Sequence, residues 1–280
     1  MPQPANFFRT LSNVTVHYDR FLDPQFGYGT RGKTWTFHCE AAFQNKLRAC
    51  FSELWDVCPL GRAEMITSAG TYVDKPGSHG LGRAFDLDAI FWSNRTFITL
   101  NYPVDKAFYL AVESVFRKYF GTVLNYEYNT DHRDHLHVDD LTPVGFDPTH
   151  RSRVLYLQMI LTHLFDRPVD IDGIIGSQTN GAVREFLIDA AFASPADVAS
   201  NLLLHSKLNE VWVDLLDLSA AEGFAQTAQA AKNPLELIES LYEVIGRELD
   251  GLPERKRVET AVTTFVNHPE AAAFFDQYRP

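Results

Sequence analysis

Two short segments of this 280-residue chain concentrate the histidine and carboxylate side chains that can carry chemistry. The first, residues 78–88, contains His79, Asp86 and Asp88, and the second, residues 131–139, contains three histidines and three aspartates. Two neutral imidazoles and one carboxylate satisfy zinc and leave a fourth position for water, which distinguishes a catalytic site from a closed structural one. Together the two segments hold the ligand types of a catalytic zinc site.

Both segments have the pattern of a strand that presents polar side chains to one side. Side chains alternate along an extended strand, so His135 and His137 face one way while Leu136 and Val138 face the core. Asp86 shares a face with the aspartate two residues later in the same way. We therefore expect each segment to anchor its polar residues with apolar neighbours.

Water activated by zinc also needs a general base to take its proton. Asp134 is the predicted base, because a carboxylate beside the water can accept that proton and pass it to the leaving amine. Strict alternation would turn Asp134 away from His137, three residues later, so this role requires a bend or bulge where the strand begins.

Two other readings of the same residues stay open. Clustered histidine and aspartate can form a solvated loop, and a lone Asp-x-Asp is common in turns. A structural zinc site made by His132, His135 and His137 is the other alternative, although neighbouring positions on a strand converge poorly.

The spacing of the acidic residues and histidines resembles a known family. His79 is followed after six residues by Asp86, and Asp134 is followed after two residues by His137. In this pattern residues 38–141 resemble the extensin-like C-terminal family and, more distantly, the zinc D,D-peptidases that cleave peptidoglycan peptides. Residues Gly82, Ala84, Trp92 and the run 69–72 also resemble the extensin-like family.

The resemblance implies a role for each residue of the pattern. Zinc would be bound by His79, Asp86 and His137. Asp134 would be the general base, and His135 would help to hold the transition state.

Three positions before the first ligand depart from the family or extend its pattern. Gly77 stands where the family often has serine, and Asp74 stands where it has a disulfide cysteine. Lys75 occupies a neighbouring basic position and could bind a substrate carboxylate or a developing oxyanion, with a solvated surface role as the alternative.

A second segment, residues 156–186, resembles the small three-helix peptidoglycan-binding domain. Its apolar residues recur at helical spacing and are expected in a core. Glycan or peptide contacts would come from the polar turns between Asp172 and Thr179. Gly181 lies within the last predicted helix, and Leu187 replaces the family's usual glutamine, so the segment could also be a structural descendant of that domain.

Hydrophobic periodicity predicts an α+β fold for the first part of the chain. Helices are expected at residues 40–55 and 104–120, and strands at 63–72, 83–90 and 136–141. We expect a small antiparallel sheet with flanking helices carrying the zinc site in a domain at residues 1–148. An all-α, peptidoglycan-binding-like module at 149–192 and a helical C-terminal region at 193–280 would follow, with breaks near residues 233–234, 251–253 and 268–269.

Composition and charge restrict the partners of the chain. A net charge of −11 argues against broad binding to nucleic acid or anionic membrane. No segment reads as a secretory signal or a membrane span, so we expect synthesis in the cytoplasm and action in the periplasm or cell wall after non-classical delivery. The three cysteines, at positions 39, 50 and 58, are expected to be mostly reduced.

The sequence therefore predicts zinc-dependent hydrolysis of an amide bond in peptidoglycan stem peptides or cross-links. A D-amino-acid-containing bond follows from the resemblance alone. The alternatives are a noncatalytic wall-binding protein with a degenerate or structural zinc site, and a wall-lytic toxin or lysin. Residues 190–280 could extend the binding module, dock on the catalytic cleft, or bind an immunity or delivery protein.

Overall fold

A computed structural model of the protein describes residues 2–18 and 34–230. Six α-helices of this part of the chain are α1 Ala41–Val57, α2 Lys106–Tyr119, α3 Arg151–His163, α4 Ser177–Asp189, α5 Asn201–Glu210 and α6 Trp212–Ala230. Its strands are β1 Phe7–Phe8, β2 Thr10–Leu11, β3 Val14–Tyr18, β4 Phe37–His38, β5 Met65–Gly70, β6 Ala84–Phe91, β7 Thr96–Ile98, β8 Thr122–Leu124 and β9 Leu136–Asp139. The predicted α+β class is confirmed.

The main sheet has seven strands among the described residues, in the order β2-β3-β5-β6-β9-β8, with β7 paired to β6. Every neighbouring pair is antiparallel except β3 and β5, which run parallel. The sheet is therefore larger than the small antiparallel sheet that we expected. The difference lies partly in the N-terminal residues, which supply β2 and β3 and for which the sequence had suggested no strand.

Helix α1 packs on this sheet, where the ring of Phe51 contacts that of Phe85 in β6. Its apolar residues recur every three or four positions, and the resulting stripe, which includes Phe43, Leu47 and Phe51, is fully buried. The three cysteines are also buried and unpaired, as predicted. Burial raises the pKa of the Cys39 thiol to about 12 and that of Cys58 to about 11, so both remain protonated at neutral pH.

The helices after residue 148 pack on the sheet-bearing part of the chain. One apolar core runs from Phe8 in β1 to Phe224 in α6, and Phe224 contacts the ring of Phe108 in α2. The buried Arg117 of α2 ties the parts together, because it pairs with Glu113 and donates to the backbone oxygen of Ser152 in α3. The boundaries predicted after residues 148 and 192 stay predictions.

The C-terminal helical region is described up to residue 230, where it forms α5 and α6. The predicted breaks near residues 233–234, 251–253 and 268–269 lie outside the described residues. In the part of the chain that is described, no helix is both long and apolar enough to cross a bilayer.

Candidate metal centre

Strands β6 and β9 place two of the predicted ligands side by side. Asp86 is the register partner of His137, so both side chains project from the same face of the sheet. The residues that flank each ligand, among them Phe85 and Leu136, are fully buried on the opposite face. The predicted alternation is confirmed for residues 85–87 of β6 and 136–138 of β9.

His79 reaches this face from a short 3₁₀ turn, His79–Leu81, immediately before β6. Gly82 ends the turn in the left-handed conformation, with φ of 66°, and a Cβ there would lie 2.6 Å from Pro4. The turn brings His79 Nε2 to 3.2 Å from Asp86 Oδ2 and 3.3 Å from His137 Nδ1. His137 Nδ1 is 2.9 Å from Asp86 Oδ1, so the three side chains converge.

The outward ring nitrogens of both histidines have partners of their own. His79 Nδ1 donates to the backbone oxygen of Thr71 at 2.5 Å, and His137 Nε2 donates to Asp139 Oδ2 at 3.3 Å. A nitrogen that donates in this way leaves the opposite nitrogen of a neutral ring as a lone pair. In the neutral tautomers that a bound metal requires, His79 Nε2 and His137 Nδ1 carry the lone pairs, and both atoms face the carboxylate of Asp86.

This donor set fits a metal ion. One ligand atom from each of His79, Asp86 and His137 lies within 4.8 Å of the others. Histidines that bind metals usually donate their second N–H to a carboxylate or a carbonyl, as both do here. The buried group can therefore hold a metal ion.

Without a metal ion, the charges of Asp86 and His137 depend on each other. Burial disfavours a charged His137, but its hydrogen bonds to Asp139 and Asp86 outweigh that effect and raise its pKa to about 9. Burial also disfavours a charged Asp86, yet hydrogen bonds from His137 and His79 hold its pKa below the ordinary value. The carboxylate is thus ready to bind a cation at neutral pH.

Asp134 and His135 lie at the point where β9 begins. Residues 133–134 form a bend before the strand, as the predicted role of Asp134 required, and Thr99 Oγ1 donates to the backbone oxygen of Asp134 at 2.6 Å. Asp134 Oδ1 is 2.7 Å from His135 Nδ1. The other nitrogen, His135 Nε2, lies 3.7 Å from Asp86 Oδ1. Asp134 therefore orients His135, and His135 reaches the metal centre.

His132 adds a third imidazole beside this pair. Its ring centroid is 5.1 Å from that of His135 and 5.9 Å from that of His137, and its Nδ1 donates to Asn129 Oδ1. Burial lowers the pKa of His132 to about 4. Within the described chain, the ligand atoms of His132, His135 and His137 do not form a convergent group, so nothing in the geometry favours the alternative zinc set.

The three predicted substrate-binding residues are not members of the convergent group of His79, Asp86 and His137. Lys75 is exposed in the loop between β5 and the 3₁₀ turn. Asp172 Oδ1 and the buried Thr179 Oγ1 both accept hydrogen bonds from Gln158 Nε2, and Asp172 also accepts one from the backbone of Ile174. Contact of these residues with substrate stays a prediction.

Two partners of the ligands, Thr71 and Asp139, were not among the predicted site residues. Asp139 had a signal in the sequence, because residues two apart on a strand share a face and it follows His137 at that spacing. Thr71 had none, since it contributes a backbone oxygen.

The fold and the site define an α+β protein with a buried His-Asp-His group that can hold a metal ion. Residues 65–146 match the family described as extensin-like protein C-terminus. The match spans β5 to β9 and includes all three candidate ligands. No curated protein and no solved structure matches the chain.

Proposed function

We propose that this protein is a zinc-dependent hydrolase of amide bonds in peptidoglycan stem peptides or cross-links. The observation that carries the proposal is the convergence of His79 Nε2, Asp86 and His137 Nδ1 beside a second pair of polar residues, Asp134 and His135. A buried metal with three protein ligands is the arrangement of a catalytic rather than a closed structural site.

Zinc is the proposed ion because two imidazoles and one carboxylate are a ligand set that it commonly takes. When bound, zinc lowers the pKa of a coordinated water to about 7 and polarises the carbonyl group to be attacked. The hydrogen bonds to Thr71 and Asp139 keep the two histidine rings oriented with their lone pairs inward.

Proton transfer is assigned to Asp134 and His135. The Asp134 carboxylate accepts the proton of the attacking water and returns it to the leaving amine. His135 Nε2 faces the centre while Asp134 holds Nδ1, so His135 is placed to donate a hydrogen bond from Nε2 to the oxygen on which negative charge develops. The 2.7 Å contact makes the two residues act as a unit.

The substrate is proposed from the resemblance of the ligand pattern to the zinc D,D-peptidases. By the same resemblance a D-amino-acid-containing bond is the proposed target. The unit formed by α3 and α4 is proposed to bind peptidoglycan. Among its predicted contacts, Thr179 is buried against Gln158, so an exposed residue such as Asp172 is the better candidate for touching the wall.

The first experiment combines zinc content with digestion of purified peptidoglycan, followed by mass spectrometry. The unaltered protein, Asp134→Ala and the matched control Asp131→Ala, which removes an exposed carboxylate from the same segment, are compared. We expect all three to bind one equivalent of zinc, and only Asp134→Ala to lose cleavage of stem peptides. The mass of the products identifies the bond.

Stoichiometric zinc without cleavage of any peptidoglycan, whatever its cross-linking, would contradict the enzyme and favour a noncatalytic wall-binding protein. Full cleavage by Asp134→Ala would instead show that Asp134 is not the general base. Absence of bound zinc in the purified, zinc-supplemented protein would contradict the proposed zinc dependence.

A further inference from the structure

An open groove of about 720 Å³ lies between residues 34–38 and residues 69–73. Pockets that hold small ligands typically enclose roughly 300–1,000 Å³, so the groove is large enough for one. Two strands end here: β4 lies in the first segment, and β5 ends in the second. The groove thus lies between the end of β4 in the two-stranded sheet and the end of β5 in the main sheet.

A residue that lines the groove is hydrogen-bonded to one of the metal ligands. Thr71, which lines the groove, accepts the hydrogen bond of the metal-facing His79 through its backbone oxygen. Gly70 is the register partner of Asp86, so the Cβ position of Gly70 and the Asp86 side chain share a face of the sheet. A Cβ at Gly70 would meet nothing within 4 Å. Through Gly70 and Thr71 the groove therefore lies next to the residues that carry two of the metal ligands.

Aromatic and uncharged polar side chains dominate the lining. Trp35 is 54% exposed, which is unusual for so large an aromatic residue, and its ring lies 5.4 Å from that of Tyr18. Thr36, His38 and Tyr72 lie around it. None of the described residues that line the groove is Asp, Glu, Lys or Arg. This chemistry suits an uncharged ligand with an apolar face and many hydroxyl or amide groups.

A peptide strand would need free backbone groups along the groove, because strand addition works through main-chain hydrogen bonds. The backbone oxygen of His38 already accepts from Tyr72 N at 3.1 Å and from Thr71 Oγ1 at 2.7 Å. Val73 N is directed to the backbone oxygen of His79. The backbone oxygen of His38 and the amides of Tyr72 and Val73 are thus already used within the protein, whereas Trp35 is half exposed and can take part in stacking.

We propose that the groove binds an uncharged amino-sugar ring of the wall glycan, with its C–H face stacked on Trp35. The electron-rich face of an aromatic ring attracts the weakly positive C–H groups of a sugar. This inference rests on the proposed function and sharpens it: the protein recognises peptides that are still attached to glycan, and the sugar in the groove directs its peptide toward His79, Asp86 and His137.

Sugar binding can be tested without hydrolysis. A soluble tetramer of N-acetylglucosamine is titrated by calorimetry into the chelator-treated full chain, and into Trp35→Ala, Trp35→Phe and Leu202→Ala. Leu202 is an exposed apolar residue of α5 and serves as the matched control. We expect equal affinity for the unaltered protein and Leu202→Ala, and an affinity weaker by about tenfold for Trp35→Ala. Trp35→Phe, which keeps a stacking face and the fold, is expected to lie between them.

Failure of the tetramer to bind the unaltered protein would overturn the sugar site. Equal affinity of the unaltered protein and both Trp35 variants would overturn the role of this groove. Binding of an uncharged stem peptide that depends on Trp35, without binding of the tetramer, would replace the sugar by a peptide. Because no cleavage is measured, these outcomes are independent of whether the zinc hydrolase proposal stands.

Discussion

Replacement of Asp139 by asparagine should weaken metal binding although Asp139 is not a proposed ligand. Asp139 uses both of its carboxylate oxygens: Oδ2 accepts from His137 Nε2 at 3.3 Å, and Oδ1 accepts from the backbone of Leu141 at 3.1 Å. Asparagine has one oxygen. If that oxygen keeps the bond to Leu141, the amide NH₂ faces His137 Nε2, which must then accept a hydrogen bond.

The consequence is a change of tautomer in His137. When Nε2 accepts, the proton of the neutral ring moves to Nδ1, the atom that lies 2.9 Å from Asp86 and 3.3 Å from His79 Nε2. A proton at that position occupies the lone pair that the metal needs. Loss of such an outer-shell partner typically costs about 10- to 100-fold in metal affinity, or about 1.4–2.7 kcal/mol.

The assay is a zinc competition titration against a chromophoric chelator. Asp139→Asn is compared with the unaltered protein and with Asp214→Asn, which removes an exposed carboxylate from α6. We expect the dissociation constant to rise about 10- to 100-fold for Asp139→Asn and not for Asp214→Asn. Unchanged zinc affinity in a folded Asp139→Asn protein would refute the assignment of Nδ1 of His137 as the ligand atom.

Three further predictions concern the packing of the helices on the site-bearing sheet. Gly223→Ala should lower the free energy of unfolding by about 1–3 kcal/mol, because its Cβ would press on the backbone oxygen of Ala107 in α2. Gly181→Ala, with open space around its Cβ in α4, should raise that free energy by about 0.5–1 kcal/mol. Glu113→Ala should cost about 3–5 kcal/mol, because it leaves the buried Arg117 without its carboxylate. Burial lowers the pKa of His163 to about 4. The contribution of neutral His163 to the free energy of unfolding is therefore full above about pH 6.5 and is lost as the pH falls through 4. His163→Gln should make the free energy of unfolding depend less on pH in this range.

Urea unfolding at fixed and at varied pH measures all three. Equal effects of the two glycine substitutions would contradict the close contact between α2 and α6. For the ion pair, a double variant Glu113→Leu/Arg117→Met that is no more stable than Glu113→Ala would show that the unpaired charge is not the cause. An unchanged difference in stability between pH 7 and pH 4 on replacing His163 would remove it from the acid sensitivity.

Local patterns in the sequence predicted much of the site. Alternation between polar and apolar residues placed Asp86 and His137 on one face of their strands, and the structure confirms it. The bend before β9 was a condition of the role predicted for Asp134, because alternation alone would have turned Asp134 away, and the structure contains that bend. Helices α1 and α2 lie within two residues of their predicted bounds, since their apolar residues recur at helical spacing.

Pairing between strands that are distant in sequence determined the features that local patterns could not predict. The parallel contact between β3 and β5 joins residues about fifty positions apart, and a short N-terminal strand has too few residues to show a period. The groove depends on the same pairing, because it brings Trp35 and Tyr18 next to Thr71 and Tyr72. No spacing in the sequence connects these residues.

The sequence by itself determined which side chains can bind a metal and which face of each strand they occupy, because residue type and strand periodicity are local properties. Only the tertiary structure decided that His79 turns Nε2 and His137 turns Nδ1 toward Asp86, since the deciding partners are a carbonyl oxygen of Thr71 and a carboxylate of Asp139. The orientation of each ring depends on hydrogen bonds between segments, and these bonds form only when the strands have paired.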